Sequence, residues 1–243
     1  MAAVNERQNP LVTSTPRYSD LIHLRRYGIA YGHARGRLLD IACGVGYGAA
    51  LLNSKGDIRY FGVDSDIPTV MSARRKYGGF GGFAVINAYD CLPFATESFD
   101  TVCSLETIEH LEQAHQAGFY AELLRVLKRS GLLIISTPNR HWKTKQALRE
   151  SGWSNPHHKY EFKTTEFEDF VLNAGTYPVH ICAKYYLGFA YNLTGSIYPH
   201  VLTQWMQKRL PGKLLRMIDK VDIKLGALTP KHGNCLCFVM MKL

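Results

Sequence analysis

Between residues 38 and 48 the chain reads Leu-Leu-Asp-Ile-Ala-Cys-Gly-Val-Gly-Tyr-Gly. An apolar run ends in an acid, Asp40, and passes straight into a turn holding Gly44, Gly46 and Gly48. Glycine lets backbone N–H groups come close to a ligand and tolerates dihedrals closed to other residues. Such a turn between a strand and a helix holds a small polar ligand at the carboxyl end of the strand. A second apolar run, Arg59-Tyr60-Phe61-Gly62-Val63, ends in Asp64, 24 residues after Asp40. That is near the spacing of an acid that accepts ribose hydroxyls. Groups able to move protons come next. Glu106, Glu109 and His110 are spaced to share one face of a helix. Asn155-Pro156-His157-His158-Lys159-Tyr160-Glu161-Phe162 brings further imidazoles and a carboxylate. A side chain of either type can act as a general base, although a histidine is as readily an ordinary hydrogen-bonded residue.

Two ligands compete for the glycine turn. Gly44-x-Gly46-x-x-Ala49 fits the loose dinucleotide fingerprint. Asp40 argues against a dinucleotide, because a carboxylate at the mouth of the turn repels a pyrophosphate. It favours a ligand with a cationic amine and no phosphate, such as S-adenosylmethionine (SAM).

With these motifs in hand, the sequence resembles the class I SAM-dependent methyltransferases. Leu39-Asp40-Ile41-Ala42-Cys43-Gly44-Val45-Gly46 resembles that family's first motif, with Ala42 where the first glycine usually stands. Phe61-Gly62-Val63-Asp64 resembles the second. Leu92-Pro93-Phe94 with Ser98-Phe99-Asp100, Thr107-Ile108-Glu109-His110-Leu111, the run 125–131 and the run 134–140 continue the series in order. The resemblance implies that SAM is held by Asp40, Ala42, Gly44, Gly46 and Asp64. The family's adenine-binding acid lies four residues before the Leu-Pro-Phe, and here that position is Ala88, with Asp90 out of register. Adenine contacts are therefore expected from Asn87 or the backbone of Ala88.

Periodicity and punctuation place the elements that must position these groups. Residues 1–18 read as a flexible polar tail and 19–34 as a helix. Strands and helices then alternate: strand 37–42, helix 47–54, strand 58–63, helix 67–77 and strand 82–86. After them come strand 100–104, helix 115–129 ended by Gly131, and strand 132–136. Thr165 with Glu168 reads as a capping box for a helix running to Asn173, and strands at 178–186 and 235–242 follow. This alternation predicts an α/β fold with a mostly parallel sheet covered by helices on both faces. The resemblance implies a Rossmann-like sheet of seven strands, the last antiparallel. Residues 19–243 are expected to form one domain with insertions at 139–163 and 187–234. The second insertion, rich in aromatics, is expected to be a helical cap over the substrate side.

Chemistry at the acceptor divides the substrate question. Glu106, Glu109, His110 and His158 are the expected catalytic residues. The same order, Glu-x-x-Glu-His plus a later His, resembles the small-RNA 3′-terminal 2′-O-methyltransferases, where it binds a divalent ion. Mixed carboxylate and imidazole ligands suit such a metal. His23-x-x-Arg26-Tyr27 ahead of the glycine turn also resembles bacterial methyltransferases of glycan and natural-product pathways, and that resemblance covers more of the chain. The favoured expectation is an O-methyltransferase of a sugar, glycolipid or other small metabolite. RNA, a quinone-type substrate at a membrane surface, and a SAM-binding subunit without catalysis remain open.

Composition bounds the rest. With 29 Lys and Arg against 20 Asp and Glu, the formal net charge is +9. This suggests an anionic partner such as nucleic acid, a phosphorylated substrate or a membrane surface. Residues 200–231 hold seven of the cations against Asp219 and Asp222, although a solvated helical face explains such a run equally. No apolar run is long enough to span a membrane, and no secretory leader is expected. Six scattered cysteines without a C-x-x-C pair fit reduced thiols and a cytoplasmic setting.

Overall fold

The computed structural model describes residues 18–89, 91–140, 155–187 and 235–243. The expected tail, Asp90, the centre of the first insertion, the second insertion and its basic run lie outside the described residues.

The elements in chain order are α1 (Tyr18–His33), β1 (Gly36–Ile41), α2 (Tyr47–Asn53), β2 (Ile58–Asp64), α3 (Ile67–Tyr77) and β3 (Gly81–Val85). There follow β4 (Phe99–Leu105), a 3₁₀ turn (Ile108–His110), α4 (Gln113–Val126) and β5 (Leu127–Pro138). The last three are α5 (Thr164–Asn173), β6 (Val179–Leu187) and β7 (Cys235–Lys242). The strands form one seven-stranded sheet in the order β3-β2-β1-β4-β5-β7-β6. β1 through β5 pair in parallel. β7 runs antiparallel between β5 and β6. The fold is Rossmann-like, and the strand order reverses between β1 and β4. A crevice at the carboxyl ends of strands is the usual ligand site at such a reversal.

Strands covered on both faces read as unbroken apolar runs, as in Cys235-Leu236-Cys237-Phe238-Val239-Met240, buried throughout. Successive strand residues point to opposite faces. Leu39, Ile41, Leu133 and Ile135 therefore join Phe119, Tyr120, Leu123 and Phe167 of α4 and α5 in one core. Leu38 and Ile134 join Ile22, Tyr27, Leu52, Val70 and Ala73 of α1, α2 and α3 in the other. All six cysteines are free thiols, four of them buried.

Two local expectations are corrected. The helix expected over 115–129 ends at Val126, because Leu127 already pairs with Phe99. A bulge then carries the register to Leu132 opposite Thr101. Ser130 turns through a left-handed φ of 57°, and Lys128 reaches Asp100 at 2.7 Å. The segment 125–131 has helical propensity, but sheet pairing takes its second half. In α5 the cap lies elsewhere than expected: Glu166, not Glu168, reaches back to accept the Lys163 N–H at 3.1 Å. Glu168 instead pairs with Lys184 on β6.

Phe167 ties the helices to the sheet, with its ring centroid 5.0 Å from that of Phe238 and 5.3 Å from that of Phe162. Truncating a fully buried Phe leaves a cavity that costs about 3–5 kcal/mol. Phe167→Ala is expected to lower unfolding free energy in urea by that amount, and a loss below about 1 kcal/mol would contradict this packing.

Candidate active site

The glycine turn leaves β1 at Ile41 and enters α2 at Tyr47. Its backbone is left-handed at Ala42 (φ 55°), Gly44 (φ 56°) and Gly46 (φ 79°). A Cβ on Gly46 would meet Ala73 at 2.7 Å and the Phe83 ring at 2.8 Å, so only glycine fits there. At Gly44 the reverse holds: a Cβ would meet nothing within 4 Å. That bare backbone is what close approach of a ligand requires. The turn is fixed by Asp64, whose carboxylate accepts the Gly44 N–H and the Asp66 N–H, each at 3.0 Å.

Asp40 lies beneath the turn, 1% exposed. One of its oxygens accepts hydroxyls from Tyr27 on α1 at 2.8 Å and Tyr60 on β2 at 2.6 Å. The other has no hydrogen-bond partner. Burial pushes the Asp40 carboxyl up to about 6, against the two tyrosine hydrogen bonds and with help from the Asp64 charge. Ala88 is buried in the core below this crevice, and Asn87 is exposed, its side chain accepting the Tyr89 N–H at 3.2 Å.

The four expected catalytic residues divide. Glu109, His110 and His158 come together, each offering one ligand atom within 4.8 Å of the others. The His110 and His158 rings meet edge to face at 4.9 Å. Glu109 is fully buried, and among the described residues only the Thr137 hydroxyl and its own backbone N–H come near its carboxylate, neither in full hydrogen-bond geometry. Burial, then the Glu106 charge, holds its carboxyl well above the usual range, with Arg26 acting in the opposite sense. A buried, unpartnered carboxylate beside two imidazoles suits a divalent cation, so the donor set fits a metal.

Glu106 does not join them. No helix starts at Glu106, so the shared helical face expected from the spacing is absent; the 3₁₀ turn covers only Ile108–His110. Glu106 sits in a left-handed conformation (φ 55°) at the end of β4 and binds Arg26 of α1 at 2.7 Å. It also accepts from the Ser136 hydroxyl at 2.8 Å and the Cys235 thiol at 3.5 Å.

His158 arrives from far along the chain because the segment 155–162 is strapped to the 3₁₀ turn. The N–H groups of Lys159 and Tyr160 both donate to the Glu109 carbonyl, at 2.7 and 3.2 Å. Phe162 bridges Asn139 beyond β5. The sequence showed Glu161 only as a carboxylate of the 155–162 run; the structure buries it fully, with Oε1 2.6 Å from His158 Nδ1. The placement of Arg26 and Tyr27, adjacent residues reaching the ends of neighbouring strands, was equally hidden. The signal for Glu161 was its three-residue spacing from His158.

Residues 39–135 match the model of a methyltransferase domain family. A probable S-adenosylmethionine-dependent methyltransferase of Mycobacterium tuberculosis is 33% identical over 167 residues, 67% of this chain. The match spans 58% of that relative's length, less than two thirds. Among solved structures, the PH0226 protein of Pyrococcus horikoshii aligns with a TM-score of 0.61 at 19% identity, covering 98% of both chains. A SAM-dependent methyltransferase from Archaeoglobus fulgidus aligns at 0.57 and 19%, covering 91% of this chain and 92% of that one. The fold is Rossmann-like, as in these solved structures, and residues 39–135 are the part of the chain that matches the methyltransferase domain model.

The buried Asp40 makes stability depend on pH. Its folded value of about 6 exceeds the ordinary 3.8. The folded chain therefore holds the proton more tightly, and stability falls as pH rises from about 4 to about 6. The difference corresponds to about 3 kcal/mol at neutral pH. Glu109 adds loss of the same sign. Asp40→Asn is expected to make the fall between about pH 4 and 6 clearly shallower, with Glu109 carrying the remainder, in denaturant titrations of the ligand-free protein. An unchanged slope would contradict the assignment.

Proposed function

Taking the methyltransferase domain as premise, we propose that this chain moves the methyl group of SAM to a hydroxyl of a sugar, glycolipid or other small hydroxylated metabolite. One observation carries the reading: a bare glycine turn clamped by Asp64 at the end of β1, with a proton- or metal-binding cluster beyond the end of neighbouring β4. Bound there, SAM supplies a methyl group already activated by its sulfonium. Asp64 presents carboxylate oxygens to the ribose hydroxyls while keeping the turn in shape. Gly44 brings its unshielded backbone against the donor. Alignment of acceptor and donor in line contributes several kcal/mol of rate enhancement. Glu109 and His158 are the candidate bases for the proton that a hydroxyl acceptor must lose. A divalent ion held by Glu109, His110 and His158 would supply Lewis-acid polarisation of the acceptor oxygen.

The same cluster favours a second reading, metal-assisted 2′-O-methylation at an RNA 3′ end, which the +9 charge also supports. Against it, the resemblance asks for Glu106 among the ligands, and Arg26 holds that carboxylate.

Calorimetry tests the donor. SAM or its demethylated product is expected to bind at micromolar concentration, and Asp64→Ala to weaken it about 10–100-fold through lost hydrogen bonds to a charged acceptor. Tight binding of NAD with none of SAM would end the reading. Labelled SAM added to cell extracts tests the acceptor. Label is expected in small hydroxylated molecules or glycolipid. Label in RNA, abolished by a chelator and restored by manganese, would select the second reading; SAM binding with no labelled fraction would point to a non-catalytic subunit.

A further inference from the structure

We infer that Glu161 is a positioning residue for the site: it fixes the His158 ring so that Nε2, stripped of its proton, faces Glu109 and His110. The inference rests on the reading of that cluster given above.

The geometry runs through named atoms. Glu161 is fully buried and its Oε1 lies 2.6 Å from His158 Nδ1. In its ionised form Glu161 only accepts hydrogen bonds, and on this inference the proton between them sits on Nδ1. In a neutral imidazole the other nitrogen then carries a lone pair. With Nδ1 engaged by Glu161, Nε2 is the nitrogen that can serve as the ligand atom within 4.8 Å of Glu109 and His110. A lone pair can bind a metal or take a proton, whereas an N–H can do neither. The backbone holds the ring from the other side. His158 N–H closes a turn on the Asn155 carbonyl at 3.1 Å, and the next two N–H groups dock on the carbonyl of Glu109 itself. Hydrogen bonds from ligand imidazoles to such carboxylates fix tautomer and ring orientation, and their loss costs about 10–100-fold in metal affinity or activity.

Tautomers are read directly by long-range ¹H–¹⁵N correlation spectra of the ¹⁵N-labelled full chain, with the His158 signals assigned by comparison with His158→Gln. In mildly alkaline solution without metal, His158 is expected to show a protonated Nδ1 and an unprotonated Nε2. Glu161→Leu is expected to shift the ring toward the Nε2–H form and to weaken manganese binding, measured by calorimetry, about 10–100-fold. Glu161→Gln keeps an acceptor oxygen and is expected to recover most of both signals. A native His158 in the Nε2–H form would overturn the inference, as would a folded Glu161→Leu with the native tautomer. Should the leucine variant not fold, the native spectrum and the glutamine variant decide alone. Binding of the demethylated donor product is measured alongside. If the native chain shows the expected tautomer but binds no such product, the functional reading fails and the positioning role stands. If it binds the product but shows the Nε2–H form, only the positioning role fails.

Discussion

A single buried ion pair, Arg26 with Glu106, holds the carboxyl edge of the sheet together. Arg26 Nη2 lies 2.7 Å from Glu106 Oε2, both side chains largely shielded from solvent. Burial works against the guanidinium charge, but Glu106, Cys235 and Glu109 together more than reverse it, so Arg26 stays charged. Its Nε–H also donates to Cys235 at the head of β7 at 3.4 Å, and Glu106 takes the Ser136 hydroxyl of β5. One pair thus joins α1, β4, β5 and β7. Removing either partner would leave an uncompensated buried charge, typically worth about 3–5 kcal/mol. Left-handed backbone at a non-glycine residue such as Glu106 persists only where surroundings over-determine it, and these contacts do so.

Tyr27 extends the same logic to the next strand. It follows Arg26 directly, and its hydroxyl reaches Asp40 at the end of β1 while Arg26 reaches the end of β4. Its ring leaves no room for a Cβ on Gly48 in the first turn of α2. Helix α1 therefore braces both walls of the crevice from outside the matched domain. The two acids of the glycine-turn motifs divide their labour accordingly. Asp64, itself buried, shapes the turn through backbone N–H groups. Asp40, beneath it, is locked by two phenols.

Local signals in the sequence were strong where they coincide with tertiary structure. The strand ends at Asp40 and Asp64, the glycine turn and helix 67–77 could be read because apolar runs, acids and glycines there all favour one arrangement. The reading failed where long-range pairing overrides propensity. Leu127 leaves a good helix to pair with Phe99, and Glu166 outcompetes Glu168 for the cap because it also receives Arg140. At the site, His110 and His158 could be named but not their environments. Glu106 looked like a base by spacing, and only the fold reveals that α1 returns to neutralise it. Glu161 was visible only as a carboxylate in a run of imidazoles, and its burial against His158 gives it a specific role.

Glu109 has a different fate from Glu106, three residues earlier. Both carboxylates leave water at the same sheet edge, but Arg26 is committed to the first, while the second has only its own backbone N–H and the Thr137 hydroxyl nearby to favour its charge. A carboxylate in that position is stable only as a neutral acid or beside a cation. Burial and the Glu106 charge push its carboxyl upward, so without ligand it holds a proton more tightly than an ordinary glutamate. Any cation entering between Glu109, His110 and His158 must displace that proton. Glu109 can likewise take the proton of an acceptor hydroxyl only after it has given up its own to solvent. The two candidate chemistries of the site, metal binding and proton abstraction, are thus two ways of satisfying one buried oxygen pair, and at Glu109 they exclude each other.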